Sequence, residues 1–271
     1  MPTTTAPGIV TYYEDLGRGS PVILIHGHSV DLRMWQHQLP ALLEAGFRVI
    51  PYDVRGHGRS AVPAAGYTWE HYAADLSALL DHLGLESAHL VGISMGGGIA
   101  LQTALDSPHR ILSLTLVDTS LPGFTYSQEF TRRMEELIQA VRAEGPRPAF
   151  ERLWLSHPFF ANLRHHRDRF ALLREMALAY PAADYRDGAI PPHYAPTVVD
   201  RLGEIAAPAL VIVGQQDIED FRLIAGLLAA NLPSARQLVL PGCGHVPPLE
   251  DAAAFNSALI AFLRQTSANS R

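Results

Sequence analysis

The chain has 271 residues, 48% of them hydrophobic and 18% charged, which suits one large buried core and excludes a disordered or fibrous protein. A formal net charge of -6 with no basic run gives no electrostatic footprint for nucleic acid. All 21 cationic side chains are arginine, so a lysine nucleophile or Schiff base is excluded, and the single cysteine, Cys243, excludes an internal disulfide.

The opening MPTTTAPGIVTYYEDLG lacks a basic patch followed by an apolar stretch, so no secretory signal is expected. Apolar runs such as PVILI and PALVIV are strand length, far below the ~20 residues of a membrane helix. The expectation is a soluble cytoplasmic protein. Strand candidates follow at Pro21 to His26, Phe47 to Tyr52, Ala88 to Ile93, Leu112 to Val117, Ala209 to Val213 and Arg236 to Leu240. Their Val, Ile and Leu content on both faces suits a mostly parallel sheet covered by helices on both sides. Among the helical patterns, the one from Thr68 places Tyr72, Leu76, Leu79, Leu80 and Leu83 on one stripe, with Gly84 as its stop. EDAAAFNSALIAFLRQT reads as a last helix.

Between about Leu121 and Asp200 the alternation breaks. SQEFTRRMEELIQAVRAEGP is amphipathic and ends at Gly145-Pro146, and helical pieces follow near Phe150 to Leu155 and Arg167 to Tyr180. Half of the chain's 22 aromatic residues, 11 with Tyr194 among them, lie in this stretch. Such an insertion can pack on the sheet and wall an apolar pocket.

Gly92-Ile93-Ser94-Met95-Gly96 stands between a strand and a helix and has the form of a nucleophile elbow, where small neighbours let the serine occupy a tight, strained turn. A hydroxyl is a poor nucleophile at neutral pH, so a base and an acid are required. LVIVGQQDIED places Asp217 after one strand and LVLPGCGHVPPLE places His245 after the next, on the carboxyl edge of the sheet where such sites collect. Asp118, after LSLTLVD, is a rival acid, as are Glu219 and Asp220 beside Asp217. Glu250 reads as a helix-start acid favoured by the dipole. His26 and His57 read as loop-organising residues, and HGH and the HH at His165 lack the partners of a metal site, so no metal or cofactor is expected.

HGHSVDLRMW from His26, DVRGHGRS from Asp53, GISMGG from Gly92, GQQD from Gly214 and GCGHVPPLE from Gly242 together resemble the α/β-hydrolase superfamily in order and spacing. The resemblance implies an α/β-hydrolase core at residues 1–120 and 201–271 around a helical cap at 121–200. It implies Ser94 as nucleophile, His245 as general base and acid, Asp217 as its orienting carboxylate, and an oxyanion hole from the backbone N–H groups of His28 and Met95. Phe124, Trp154 and Val246 are the side chains expected in the substrate pocket. The implied activity is hydrolysis of small to medium apolar carboxylic esters or lactones, with a small molecule as the only partner and the oligomeric state left open. Ser94 excludes an aspartate-nucleophile dehalogenase. Carbon-carbon bond hydrolases of aromatic ring-cleavage products, cofactor-free perhydrolases and a non-catalytic ligand receptor of the same fold stay open.

Overall fold

Each of the six apolar runs forms a strand in the computed structural model, which describes residues 3–6, 9–186 and 197–269. Tyr194 lies outside them. In chain order the strands are β1 (Thr3–Ala6), β2 (Ile9–Tyr12), β3 (Leu16–Gly17), β4 (Pro21–Ile25), β5 (Arg48–Tyr52), β6 (Ala88–Ile93), β7 (Ile111–Val117), β8 (Ala209–Gly214) and β9 (Ala235–Leu240). β1 and β2 form an antiparallel pair. The others form a seven-stranded sheet in the order β3-β5-β4-β6-β7-β8-β9, in which only the short β3 is antiparallel to its neighbour. The three N-terminal strands have no counterpart among the apolar runs; β3 has two residues and carries no periodicity to read.

The helices are α1 (Leu39–Glu44), α2 (Trp69–His82), α3 (Met95–Asp106), α4 (Gln128–Glu144), α5 (Pro146–Ala149), α6 (Arg167–Ala179), α7 (Ala183–Arg186), α8 (Glu219–Asn231), α9 (Pro247–Glu250) and α10 (Ala252–Asn269). Alternate strand residues feed two cores, as a period of two demands. Val22, Leu24, Val91 and Ile212 join Leu42 of α1 and Phe255 and Leu259 of α10. Ile23, Ile25, Leu90 and Val211 join Leu76 of α2, Ile99 of α3 and Leu228 of α8. α4 to α7 interrupt the strand–helix alternation between β7 and β8, with a π-helical turn at Phe150–Trp154. Their apolar side chains, among them Leu137, Phe150 and Leu173, continue the first of these cores. The insertion therefore sits on the sheet through hydrophobic burial.

Candidate active site

β6 ends at Ile93 and α3 begins at Met95, so Ser94 alone makes the turn. Its backbone is at φ 52° and ψ -117°, a region that non-glycine residues rarely occupy. Gly92 and Gly96 permit it: a Cβ at 92 would run into the backbone of Gly96, and one at 96 into the carbonyls of Ile25 and His26. The strand and the helix thus approach closer than any side chain would allow.

Asp217 follows β8 and His245 follows β9, and backbone bonds lock the two loops together. Gln215 N–H donates to Leu240 O at 3.0 Å and Gln216 N–H to Cys243 O at 2.8 Å. Within that clasp His245 Nδ1–H donates to Asp217 Oδ2 at 2.8 Å, and Ile218 N–H donates to Asp217 Oδ1 at 2.7 Å. Both side chains are buried. The acid bonded to His245 is Asp217, while Asp118 Oδ1 accepts from Gly214 N–H at 2.9 Å. With Nδ1 engaged, His245 has Nε2 left to accept a proton.

Ser94 and His245 share the wall of a cavity of about 40 Å³. No hydrogen bond joins the two side chains among the described residues; it is the shared cavity that brings them together. Trp154 and Val246 line it, as do Val30, Phe160, Leu173 and Leu249. Phe124 does not: it packs edge-on against Tyr126, ring centroids 5.1 Å apart, in the core on the other face of the sheet.

His28 also lines the cavity. Its Nε2–H donates to Asp184 Oδ2 of α7 at 3.2 Å, and Tyr180 O–H donates to the other oxygen of the same carboxylate. Burial pushes the Asp184 carboxyl up, but the hydrogen bond and charge of His28 outweigh it and hold the group below its ordinary range. Met95 buries its side chain in the core with α2 and α3, and its amide is among the first of α3, without an acceptor inside the helix.

His26 and His57 are spent on the loops. His26 Nε2 accepts from Val54 N–H at 2.9 Å and its Nδ1–H donates to Gly27 O at 2.7 Å. His57 Nε2 accepts from Ser29 N–H at 3.2 Å, and burial lowers its pKa well below the ordinary imidazole value. Asp53 accepts from the amides of Leu32 and Arg59, both at 2.8 Å. The HGH and DVRGHGRS loops therefore brace each other.

Several neighbours of the site carry no signal of their own in the sequence. Phe159 stacks on His245 with centroids 3.8 Å apart and planes 17° apart, and Phe221 meets the same ring edge-on at 4.6 Å. The dense aromatic insertion was the available clue; which ring meets the imidazole depends on how its turns dock. Glu250 lies in the first turn of the four-residue α9, as its last residue, and its carboxylate also accepts from Gly244 N–H in the His245 loop. Burial pushes its pKa up to about 7. Among the described residues Asp118, Asp217 and His245 are the one set of metal-capable side chains that converges, and a cation there would have to displace the Asp217–His245 bond.

The chain belongs to the alpha/beta hydrolase fold family, whose model matches residues 20–252. It is 37% identical over 92% of its length and 94% of the other's to a candidate carbamate hydrolase, RutD, of Variovorax paradoxus (strain S110). Its fold superposes on a thermophilic esterase from Thermogutta terrifontis with a TM-score of 0.84, at 33% identity and 97% coverage of each chain. The enol-lactonase from Burkholderia xenovorans LB400 gives a TM-score of 0.84 at 29% identity, over 97% of this chain and 100% of that one. No helix among the described residues is long and apolar enough to cross a membrane.

Proposed function

We propose that this hydrolase cleaves carboxylic esters or lactones with small apolar acyl groups through Ser94, His245 and Asp217. The observation that carries the reading is one cavity walled by a serine on a strained turn and by an imidazole whose far nitrogen is hydrogen-bonded to a buried carboxylate. The similarity to an esterase and an enol-lactonase supports the same class.

In the proposed reaction Ser94 Oγ attacks the substrate carbonyl and its proton passes to His245 Nε2, while Asp217 stabilises the imidazolium that forms. The carbonyl oxygen becomes an oxyanion held by the amides of His28 and Met95, each such donor being worth roughly 3 kcal/mol in the transition state. His245 then protonates the departing oxygen as the carbon–oxygen bond breaks, leaving Ser94 acylated. Water, deprotonated by the same imidazole, attacks the acyl carbon; the bond to Ser94 Oγ breaks, the imidazolium returns its proton to that oxygen and the acid is released. Nothing beyond these groups and water is needed.

The small cavity, about 40 Å³, with Val30, Trp154, Phe160, Leu173 and Leu249 in its wall, suits a short apolar acyl group. A fluorophosphonate probe should label the intact protein and not Ser94→Ala. On a panel of acyl esters, lactones, carbamates and ring-cleavage diketones, short esters and lactones should be hydrolysed fastest. Turnover of diketones alone would move the reaction to carbon–carbon cleavage, and no labelling of folded protein would remove the nucleophile.

A further inference from the structure

Asp118, at the end of β7, is buried beside the proposed triad yet has no part in the mechanism above. Its backbone φ is 38°, a left-handed conformation costly for a side chain, and its N–H is tied to Ile212 O at 2.9 Å. Its Oδ1 accepts from Gly214 N–H, whereas Oδ2 is buried with no donor to accept from. Oxygens of Asp118 and Asp217 and a ring nitrogen of His245 lie within 4.8 Å of one another.

Two buried carboxylates this close cannot both ionise, because each raises the cost of charging the other. The donors around them decide which keeps the charge. Asp217 accepts from Ile218 N–H and His245 Nδ1–H; Asp118 accepts from one amide. We infer that Asp118 is a neutral carboxylic acid whose Oδ2–H donates to Asp217, a positioning residue that fixes the triad carboxylate and limits its basicity toward His245. The inference rests on the triad reading above. It gives the orphaned oxygen a proton to donate, with Asp217 as the neighbouring acceptor.

The groups facing Asp118 are Asp217 after β8, Cys243 and His245 after β9, and Glu250 of α9. Burial, first, and then the charge of Asp217 and the hydrogen bond to it hold the Asp118 carboxyl well above its ordinary range; Glu250 adds to this and Gly214 N–H opposes it.

The sign of a pH shift tests the assignment. Asp118→Asn keeps the shape, the neutral charge and a donor, so kcat should stay within about threefold and the acid limb of kcat/KM should not move. Asp118→Leu removes the donor, which makes Asp217 more basic: the acid limb should move to higher pH and kcat should fall about tenfold. Were Asp118 ionised, both substitutions would remove a negative charge near His245 and the limb would move to lower pH, overturning the inference. An unchanged Asp118→Leu enzyme would also overturn it.

Infrared spectroscopy needs no turnover and keeps the test open if Asp118→Leu fails to fold. At about pH 9, where Glu250 with its pKa of about 7 is ionised, the folded wild type and Ser94→Ala should show the carbonyl stretch of a protonated carboxyl, and Asp118→Asn should lack it. A wild type without that band overturns the proton assignment whatever the substrate. A band with no turnover of any ester or lactone overturns the positioning role and the esterase reading together.

Discussion

The strain at Ser94 has a local cause that a single added methyl group can probe. A Cβ at Gly96 meets the backbone carbonyls of Ile25, at the end of β4, and of His26 after it, which cannot rotate away, so Gly96→Ala must push α3 off the strand. Ser94 and the Met95 amide would move with it. The expected result is a fall in kcat of about a hundredfold with the protein still folded, since displacements near 1 Å have that effect on a positioned nucleophile. A wild-type kcat would show that the tight approach is not needed. Glu250 offers a second test. Its carboxyl titrates near pH 7 in the folded protein against an ordinary value of 4.5, so the folded state holds the proton more tightly and this group's contribution to stability is lost as pH rises from about 4.5 to about 7. Glu250→Gln removes that loss, so its stability in urea titrations should rise more steeply with pH over this window than that of the wild type; an unchanged slope would assign no such contribution to Glu250. At this scale the glycine spacing around Ser94 is legible in the sequence because close backbone approach leaves small residues as its trace. The preference of His245 for Asp217 over Asp118 is not, because both follow strands on the same sheet edge and only the loop clasp decides between them.

The elements divide in the same way. β4 to β8 announce themselves because strands covered on both faces need continuous apolar runs, and α4 does so by its stripe. The cavity wall is silent, because Leu173 of α6 and Phe160 come to line the Ser94 cavity through the docking of the inserted helices, which no period encodes. That docking should set the acyl preference. Leu173→Ala deletes side-chain volume from the wall of a cavity of about 40 Å³, so kcat/KM for butyryl and longer esters should rise relative to acetyl, by about tenfold if the vacated space stays open. The cost is about 2 to 5 kcal/mol of stability, the usual penalty for emptying a buried leucine site. If acetyl preference survives in the folded variant, α6 does not limit the acyl group.

Over the whole molecule, buried imidazoles and buried carboxyls pull stability in opposite directions with pH. Burial lowers the pKa of His26 and of His57, takes His89 to about 4 and takes His157 to about 3. Each stays neutral when folded but charges near 6.5 when unfolded, so its contribution is present above that pH and lost as pH falls toward the folded value. Asp53, Asp118 and Glu250, raised by burial, act in the other sense. The lowered imidazoles, His37 among them, outnumber these carboxyls, which predicts a protein that loses urea resistance from about pH 6.5 downward. His89 is the cleanest probe because it lies away from the site, held by Ser113 Oγ at 2.7 Å on β7 and by Ser20 and Ser267 at its other nitrogen. Its displacement from 6.5 to about 4 corresponds to on the order of 3 kcal/mol of pH-dependent stability. His89→Gln should be less stable than wild type at neutral pH yet lose less on acidification, so that the two unfolding midpoints converge between pH 6.5 and 4. Parallel curves would mean that this imidazole is not a source of the acid sensitivity.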